Sequence, residues 1–389
     1  MTIIGTTVGR REGDGTLRPL NGIELEAAEE LLGGKIINIP LEAGFDMEPD
    51  GSGGTVLDRL KGVKPDEWGS VSFDWDAVET ARQAGSRRLR ENLAAMAGEI
   101  AKLVPAGANL LMVHTMAGGI PRARLFMPLL NRVFKGQGEK YLSSGEFWAS
   151  DLGKLCDISF NEVTADSFAY LLDTTAGLRE TVAAAGGRVS YAAYGYHGCE
   201  VLVNGSFRWQ SYTPYLQGWA KMRLEGHAEN AWKQGIRATV FNCPEIQTNS
   251  SALFLGVEIS LYPLLTALER HGGPVYAEVR SACQALLDEG ATLETLLARA
   301  DDYLGSPLMA AFGNLQEWPH HGNREQMEFM LTRSAELLAM NSNPKEIVCG
   351  VLSGAVFRGV GRLMVDASWQ QAAPVWWLNH DIIAKRLTA

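Results

Sequence analysis

The chain lacks the roughly 18 uninterrupted apolar residues that a membrane-crossing helix needs, and it carries no glycine fingerprint of the form G-x-G-x-x-G or T-G-x-x-x-G-x-G. The first absence argues against a membrane span. The second means that phosphate binding by a glycine-rich turn is not directly legible. Cysteines are few: Cys156, Cys199, Cys243, Cys283 and Cys349 are odd in number, widely spaced and never form C-x-x-C. That excludes a disulfide framework or a zinc cage and points to a reducing compartment. Positive charge is also short. The formal net charge of −10 repels polyanions, which disfavours non-specific binding to nucleic acid or anionic membrane. The first nine residues lead directly into Arg10, Arg11, Glu12 and Asp14, leaving no room for a secretory apolar segment, so a cytoplasmic location is expected.

What is present is an ordinary globular composition, with 46% hydrophobic and 21% charged residues in 389. It is enough for one large α/β domain. Short β-rich runs alternate with helical patterns, the mark of a mainly parallel sheet covered on both faces, doubly wound in the Rossmann manner. The expected strands are residues 2–5, 35–40, 71–73, 109–114, 188–194 and 236–242, with 274–278 as a further candidate. Apolar residues recurring at three and four positions predict a helix over 76–103. Residues 44–64 and 135–160 read as loop or insertion, and the chain turns helical after about 285. The expected layout is one domain: a nucleotide-binding half over about 1–135, a catalytic and substrate half over about 136–285, and a helical extension over about 286–389.

The segment that carries chemistry is Tyr212-Thr-Pro-Tyr-Leu-Gln-Gly-Trp-Ala-Lys221. A lysine ammonium beside a phenol lowers the phenol's pKa and can hold a ribose hydroxyl, the pairing that carbonyl or enoyl reduction requires. Tyr212 and Lys221 are nine positions apart, about 900° of rotation on an unbroken helix, which would put them on opposite faces. Tyr212 should therefore precede the helix, with Pro214 in its first turn. Tyr215 is the competing tyrosine. Ordinary packing is the bland alternative for each.

The surrounding residues resemble the active-site helix and following strand of the short-chain dehydrogenase/reductase superfamily. Lys221-Met-Arg-Leu-Glu225, Gly235-Ile-Arg-Ala and Cys243-Pro-Glu-Ile-Gln-Thr248 stand where that superfamily has K-x-x-L-E, G-I/V-R-V-N and P-G-x-I-x-T, with Pro244 replacing the usual glycine. Within it, Leu110-Leu-Met-Val-His-Thr-Met-Ala-Gly-Gly, Ala193-Tyr-Gly-Tyr-His-Gly and the Y-x8-K spacing of Tyr212 and Lys221 are similar to the larger bacterial enoyl-acyl-carrier-protein reductases. The resemblance covers about 109–265. It implies reduction of a trans-2-enoyl thioester, with Tyr212 and Lys221 catalytic and Tyr196 a second, substrate-side tyrosine. Tyr196 lies sixteen positions before Tyr212, so residues 199–207 must form a local insertion. It further implies that His114, Thr115, Ala117, Lys221, Ile246 and Thr248 approach a nicotinamide cofactor, and that Tyr215, Leu253 and Phe254 meet the acyl chain.

The adenosine end is open to two layouts. The preferred one makes residues 2–5 the first strand, Gly5 and Gly9 its loop, and 35–40 the second strand; the other begins the sheet at 35–40. Under the first, Glu42 would pair with the adenosine ribose and repel a 2′-phosphate, favouring NADH over NADPH, and Asp74 would contact adenine. A ketoreductase or other alcohol dehydrogenase is the nearest alternative, and a non-catalytic nucleotide-binding protein the next. Tyr194 and Tyr196 stand where ketoreductases carry serine, which favours the enoyl reaction. Arg122, Arg124, Arg132 and Lys135 are a candidate surface for an acidic carrier protein. His320, His321 and Glu325 read as solvated polar residues, so no metal is expected.

Overall fold

A computed structural model describes residues 1–195, 198–210, 216–247, 256–313 and 322–389, without the side chains of residues 216, 217 and 257. The chain opens with β1 (Ile4–Thr7), a short hairpin of β2 (Arg10–Arg11) and β3 (Leu17–Arg18), α1 (Gly22–Leu32) and β4 (Lys35–Pro40). β1 and β4 pair in parallel, Ile4 opposite Lys35. A loop then leads to α2 (Trp75–Leu103), started by Asp74, whose carboxylate accepts from the Asp76 and Ala77 amides. β5 (Leu110–His114) follows, then α3 (Phe126–Lys135), α4 (Ser144–Ala149), α5 (Asp151–Phe160), a π-helical turn over Asn161–Asp166, α6 (Ser167–Thr174) and α7 (Ala176–Ala184). β6 (Val189–Gly195) precedes a hairpin of β7 (Cys199–Val203) and β8 (Ser206–Gln210). Then come α8 (Leu216–Lys233), β9 (Ala238–Asn242), α9 (Pro263–His271), α10 (Gly273–Gln284), α11 (Leu293–Leu304), α12 (Arg324–Leu338), α13 (Val348–Ser368), β10 (Val375–Trp377) and α14 (His380–Thr388).

Among the described residues the main sheet has the order β10-β9-β6-β5, all parallel. Its two central strands, β6 and β9, are buried on both faces, as a sheet between two helical layers requires, while the edge strands β5 and β10 expose Val113 and Trp376. In β6, Tyr191 and Ala193 join the core beneath α2, α6, α7 and α8, while Ala192 joins the opposite core of α9 to α14; in β9, Ala238 and Val240 take the first side and Phe241 the second. The period of two thus accounts for continuous apolar runs with no polar face. A third core joins α3, α4 and α5 to Phe45, Val56, Leu60 and Val78, so packing does not break near residue 135. α13 is long and apolar enough, by length and composition, to cross a membrane, but half of that stretch is buried in the protein.

Three expectations are corrected. Residues 71–73 form no strand. Val71 and Phe73 pack against the third core, and the Phe73 amide donates to Asp151 Oδ2 at 2.9 Å, so its hydrogen bond leaves for a side chain rather than a ladder. Residues 274–278 are helical, because Pro274 sits in the first turn of α10 where its missing N–H costs nothing. Residues 135–160 hold two helices whose serines are N-caps: Ser143 Oγ accepts from the Glu146 amide and Ser150 Oγ from the Gly153 amide. The expected insertion at 199–207 is the β7–β8 hairpin, turned at Asn204-Gly205, both at positive φ.

Gly153 is required by contact rather than by its backbone angle, since an added Cβ would lie 2.0 Å from the Phe147 carbonyl oxygen and 2.6 Å from Trp148 Cα. Gly177, in α7, has nothing within 4 Å of such a Cβ. Gly153→Ala should therefore lower unfolding free energy by about 2 kcal/mol, whereas Gly177→Ala should leave it unchanged or raise it by up to about 1 kcal/mol. Denaturant melts of the two variants check this, and equal stabilities would contradict it.

Candidate active site

Because β5, β6 and β9 are parallel, their carboxyl ends at His114, Gly195 and Asn242 lie along one edge, where α/β sheets bind ligands. Lys221 reaches this edge from the second turn of α8. Its side chain is 2% exposed, and Nζ donates to the Tyr194 carbonyl at 2.7 Å. Four residues on, Glu225 Oε1 accepts from Asn242 Nδ2 at 3.1 Å. One face of α8 is thus tied to the ends of both β6 and β9. Burial pulls the Lys221 pKa down to about 8, partly offset by Cys243 and Glu225.

Another face of α8 is clamped to the π turn. Asp166 accepts from Arg223 Nε at 2.7 Å and pairs with His227 Nε2 at 3.0 Å, while Arg82 of α2 pairs with Glu162 at 2.9 Å and lies 3.5 Å from Asp166. Burial alone would raise the Asp166 pKa, yet its His227 and Arg223 partners hold it below the usual carboxylate value. The clamp sets the height of Lys221 against the sheet.

The loop after β5 rests on the same π turn. Gly118 and Gly119 have φ of 105° and 127°, and a Cβ on Gly119 would sit 2.5 Å from Phe160 Cα. Only glycine satisfies both conditions. Thr164 Oγ1 donates to the Gly118 carbonyl at 2.7 Å. Ser167 Oγ lies 2.6 Å from the Val163 carbonyl and 2.8 Å from His114 Nε2. A carbonyl can only accept, so the single serine proton goes to Val163, and His114 Nε2 must carry hydrogen. His114 Nδ1 is then a bare lone pair, buried and unpartnered among the described residues. Burial, with help from the Lys221 charge, drives the His114 pKa to about 3. The ring is therefore neutral at physiological pH.

The structure thus brings Lys221 and His114 together, with Thr115 and Ala117 exposed just beyond and Ile246 half-buried after β9. The segment holding Ile246 is fixed where the Gln247 amide donates to Ser353 Oγ of α13 at 2.6 Å. Tyr196, Tyr212, Tyr215, Thr248, Leu253, Phe254, His320 and His321 lie outside the described residues. Sequence reading missed the π turn, Asp166 and the Arg223–His227 clamp. The only available signal was the i, i+4 spacing of Arg223 and His227 alongside that of Lys221 and Glu225.

The adenosine-end expectations need correction. Gly9, at φ 79°, is a crossing point inside the fold, because a Cβ there would meet the Arg18 carbonyl at 2.6 Å and Pro40 at 2.7 Å. Gly5 is packed by Leu32, 2.5 Å from its notional Cβ. A hairpin separates β1 from α1, and the α1 N-terminus is closed by an Asn21–Glu24 capping box, so no glycine turn feeds an open helix end. Glu42 is bound by Arg11 at 2.6 Å and by Arg122. Its charge is neutralised, which removes the proposed repulsion of a 2′-phosphate. Asp74 caps α2 and follows no strand, so it is not the residue at the end of a third strand. Arg122 and Arg132, expected to face a carrier protein, pair with Glu42 and Asp46 and with Asp66 respectively.

A parallel sheet with a buried lysine and a glycine-bearing loop at its carboxyl edge is the arrangement of an α/β fold in which ligands bind at that edge. The chain matches the family model described as enoyl-acyl carrier protein reductase FabMG over residues 1–387, and it belongs to that family of oxidoreductases. It is similar to an apo structure of FabMG, described as a novel type of enoyl-acyl carrier protein reductase, at 46% identity and TM-score 0.96, covering 100% of this chain and 88% of that one. It is also similar to an NADH-bound structure of FabMG at 40% identity and TM-score 0.79, with the same coverage. No curated protein matches.

With the Lys221 pKa near 8, the ammonium is charged below that value and lost above it. Enoyl reduction should therefore show kcat/KM falling on the alkaline side with an apparent pKa close to 8. A flat profile between pH 7 and 9.5 would remove the lysine charge from the reaction.

Proposed function

We propose that this chain reduces the double bond of a trans-2-enoyl thioester carried by acyl carrier protein, using NADH, within the short-chain dehydrogenase/reductase superfamily and its Y-x8-K class. The observation that carries the reading is the buried ammonium of Lys221 at the carboxyl edge of β6, in a chain matching the reductase family over residues 1–387. The residues present fit a dinucleotide. Lys221 spends one of its three N–H donors on Tyr194, His114 offers a neutral acceptor suited to a hydroxyl, and Gly118 and Gly119 let the backbone pass close to a ligand. Support for NADH comes from the NADH-bound FabMG structure.

When bound, the nicotinamide supplies a hydride to the β-carbon. Negative charge then develops on the thioester oxygen, and Tyr212 donates a hydrogen bond to that oxygen. Tyr212 lies in sequence four residues before α8 begins and nine before Lys221, so the helix that fixes the lysine also delivers the chain to the tyrosine. Lys221 adds positive potential and holds the ribose, a contribution that is large because the site is dry and its groups are already oriented. Tyr196 would approach the substrate from the end of β6, with Tyr215, Leu253 and Phe254 along the acyl chain, while Thr115, Ala117, Ile246 and Thr248 border the cofactor.

Removing one such donor costs about 3 to 4 kcal/mol of barrier. Tyr212→Phe should lower kcat on the order of 10²-fold or more with the affinity for NADH retained. Lys221→Met should weaken NADH binding as well. Stopped-flow oxidation of NADH with crotonyl thioester and a fluorescence titration of NADH separate the two, and a Tyr212→Phe enzyme as fast as wild type would refute the assignment.

A further inference from the structure

α13 starts at the active-site segment and runs away from it along the surface. Ser353 Oγ takes the Gln247 amide, and a Cβ on Gly350 would lie 3.7 Å from Gln247 Oε1. Arg358 and Arg362 stand five and nine residues further on, roughly 7 and 13 Å along the helix axis. The outward face of this stretch carries Phe357, 62% exposed, and Val365, 51% exposed, on either side of exposed Gly361. Arg358 and Arg362 are exposed on it, and neither has an ion-pair partner among the described residues. Arg11, Arg88 and Arg122, for comparison, are each engaged with carboxylates. Two unneutralised cations beside an exposed phenylalanine form a small apolar centre with a basic rim, which suits an acidic helical partner. Gly354 and Gly361 would let a helix come close.

We propose that this face of α13 is where the acyl carrier protein docks, its acidic surface meeting Arg358 and Arg362 and an apolar side chain covering Phe357, while the tethered thioester enters past Gln247. The inference rests on the enoyl reductase reading above and replaces the basic set around α3, half of which is engaged internally. The long-range field of the whole chain repels an acidic protein, so an uncompensated local patch is what such a partner needs to find its register.

The test compares two substrates differing only in the carrier: crotonyl-acyl carrier protein and the neutral crotonyl-N-acetylcysteamine thioester. In R358E/R362E, KM for the carrier-linked substrate should rise on the order of tenfold or more, with kcat/KM for the small thioester within twofold of wild type; F357A should raise only the former. Wild-type KM for the carrier-linked substrate should also rise with salt more steeply than that of the variant. An unchanged KM for the carrier-linked substrate overturns the proposal, as does a parallel loss with both substrates. Sedimentation of wild type as a Phe357-dependent dimer, or its co-sedimentation with anionic phosphatidylglycerol vesicles, assigns the face to another occupant and overturns it too. If wild type turns over neither substrate, the reductase reading fails first and the docking site falls with it.

Discussion

The fold is organised around keeping one ammonium dry and charged. Taking a lysine out of water costs several kcal/mol unless its charge is compensated, and Lys221 is buried with the Tyr194 carbonyl as its hydrogen-bond partner among the described residues. Glu225, one turn along the same helix and bonded to Asn242, supplies negative potential that raises the ammonium's pKa. That arrangement leaves the pKa near 8 rather than collapsing it.

The position of this charge depends on elements far apart in sequence. α8 is tied to the sheet through Lys221 and Glu225, and to the π turn through Arg223 and His227 on Asp166. The π turn in turn is held by Arg82 from α2 and supports the Gly118–Gly119 loop through Thr164. A π turn widens the helix by one residue per hydrogen-bonded ring, and here it lets Glu162 and Asp166 both face cations from neighbouring helices. Ser167, the first residue after it, sets the tautomer of His114. One irregular turn therefore orients both the acceptor at the end of β5 and the helix bearing the donor at the end of β6.

Much of this was legible in the sequence where a period or a motif speaks locally. β4, α2, β5, β6 and β9 stand within a residue or two of expectation, because a buried parallel strand reads as an apolar run and a long amphipathic helix as a stripe. The Lys221-Met-Arg-Leu-Glu225 motif led directly to the buried lysine and its i+4 carboxylate. Residues 71–73 failed because β-propensity does not report that an amide will be taken by a distant Asp151. α4 and α5 are short, and the serines and glycine that would favour a loop instead cap these helices and permit close contact. The hairpin at 199–210 carried a readable signal in Asn204-Gly205 between two apolar runs. The clamp on Asp166 left only the i, i+4 spacing of Arg223 and His227, which does not name a partner more than fifty residues away.

The missing glycine fingerprint has a structural counterpart. Where a Rossmann turn would pass from β1 straight into an open helix end, this chain inserts the β2–β3 hairpin and then closes α1 with Asn21 and Glu24, the latter also gripped by Arg18 at 2.6 Å. A carboxylate at that helix end opposes a pyrophosphate. On the proposed reading, orientation of the dinucleotide must then come from its nicotinamide half, through Lys221, His114 and the Gly118–Gly119 backbone. Arg11 and Arg122 are already bound to Glu42, Glu48 and Asp46. That network is electrically balanced when Arg88 is counted on Glu48: three guanidinium groups meet three carboxylates. It therefore neither attracts nor repels a 2′-phosphate strongly.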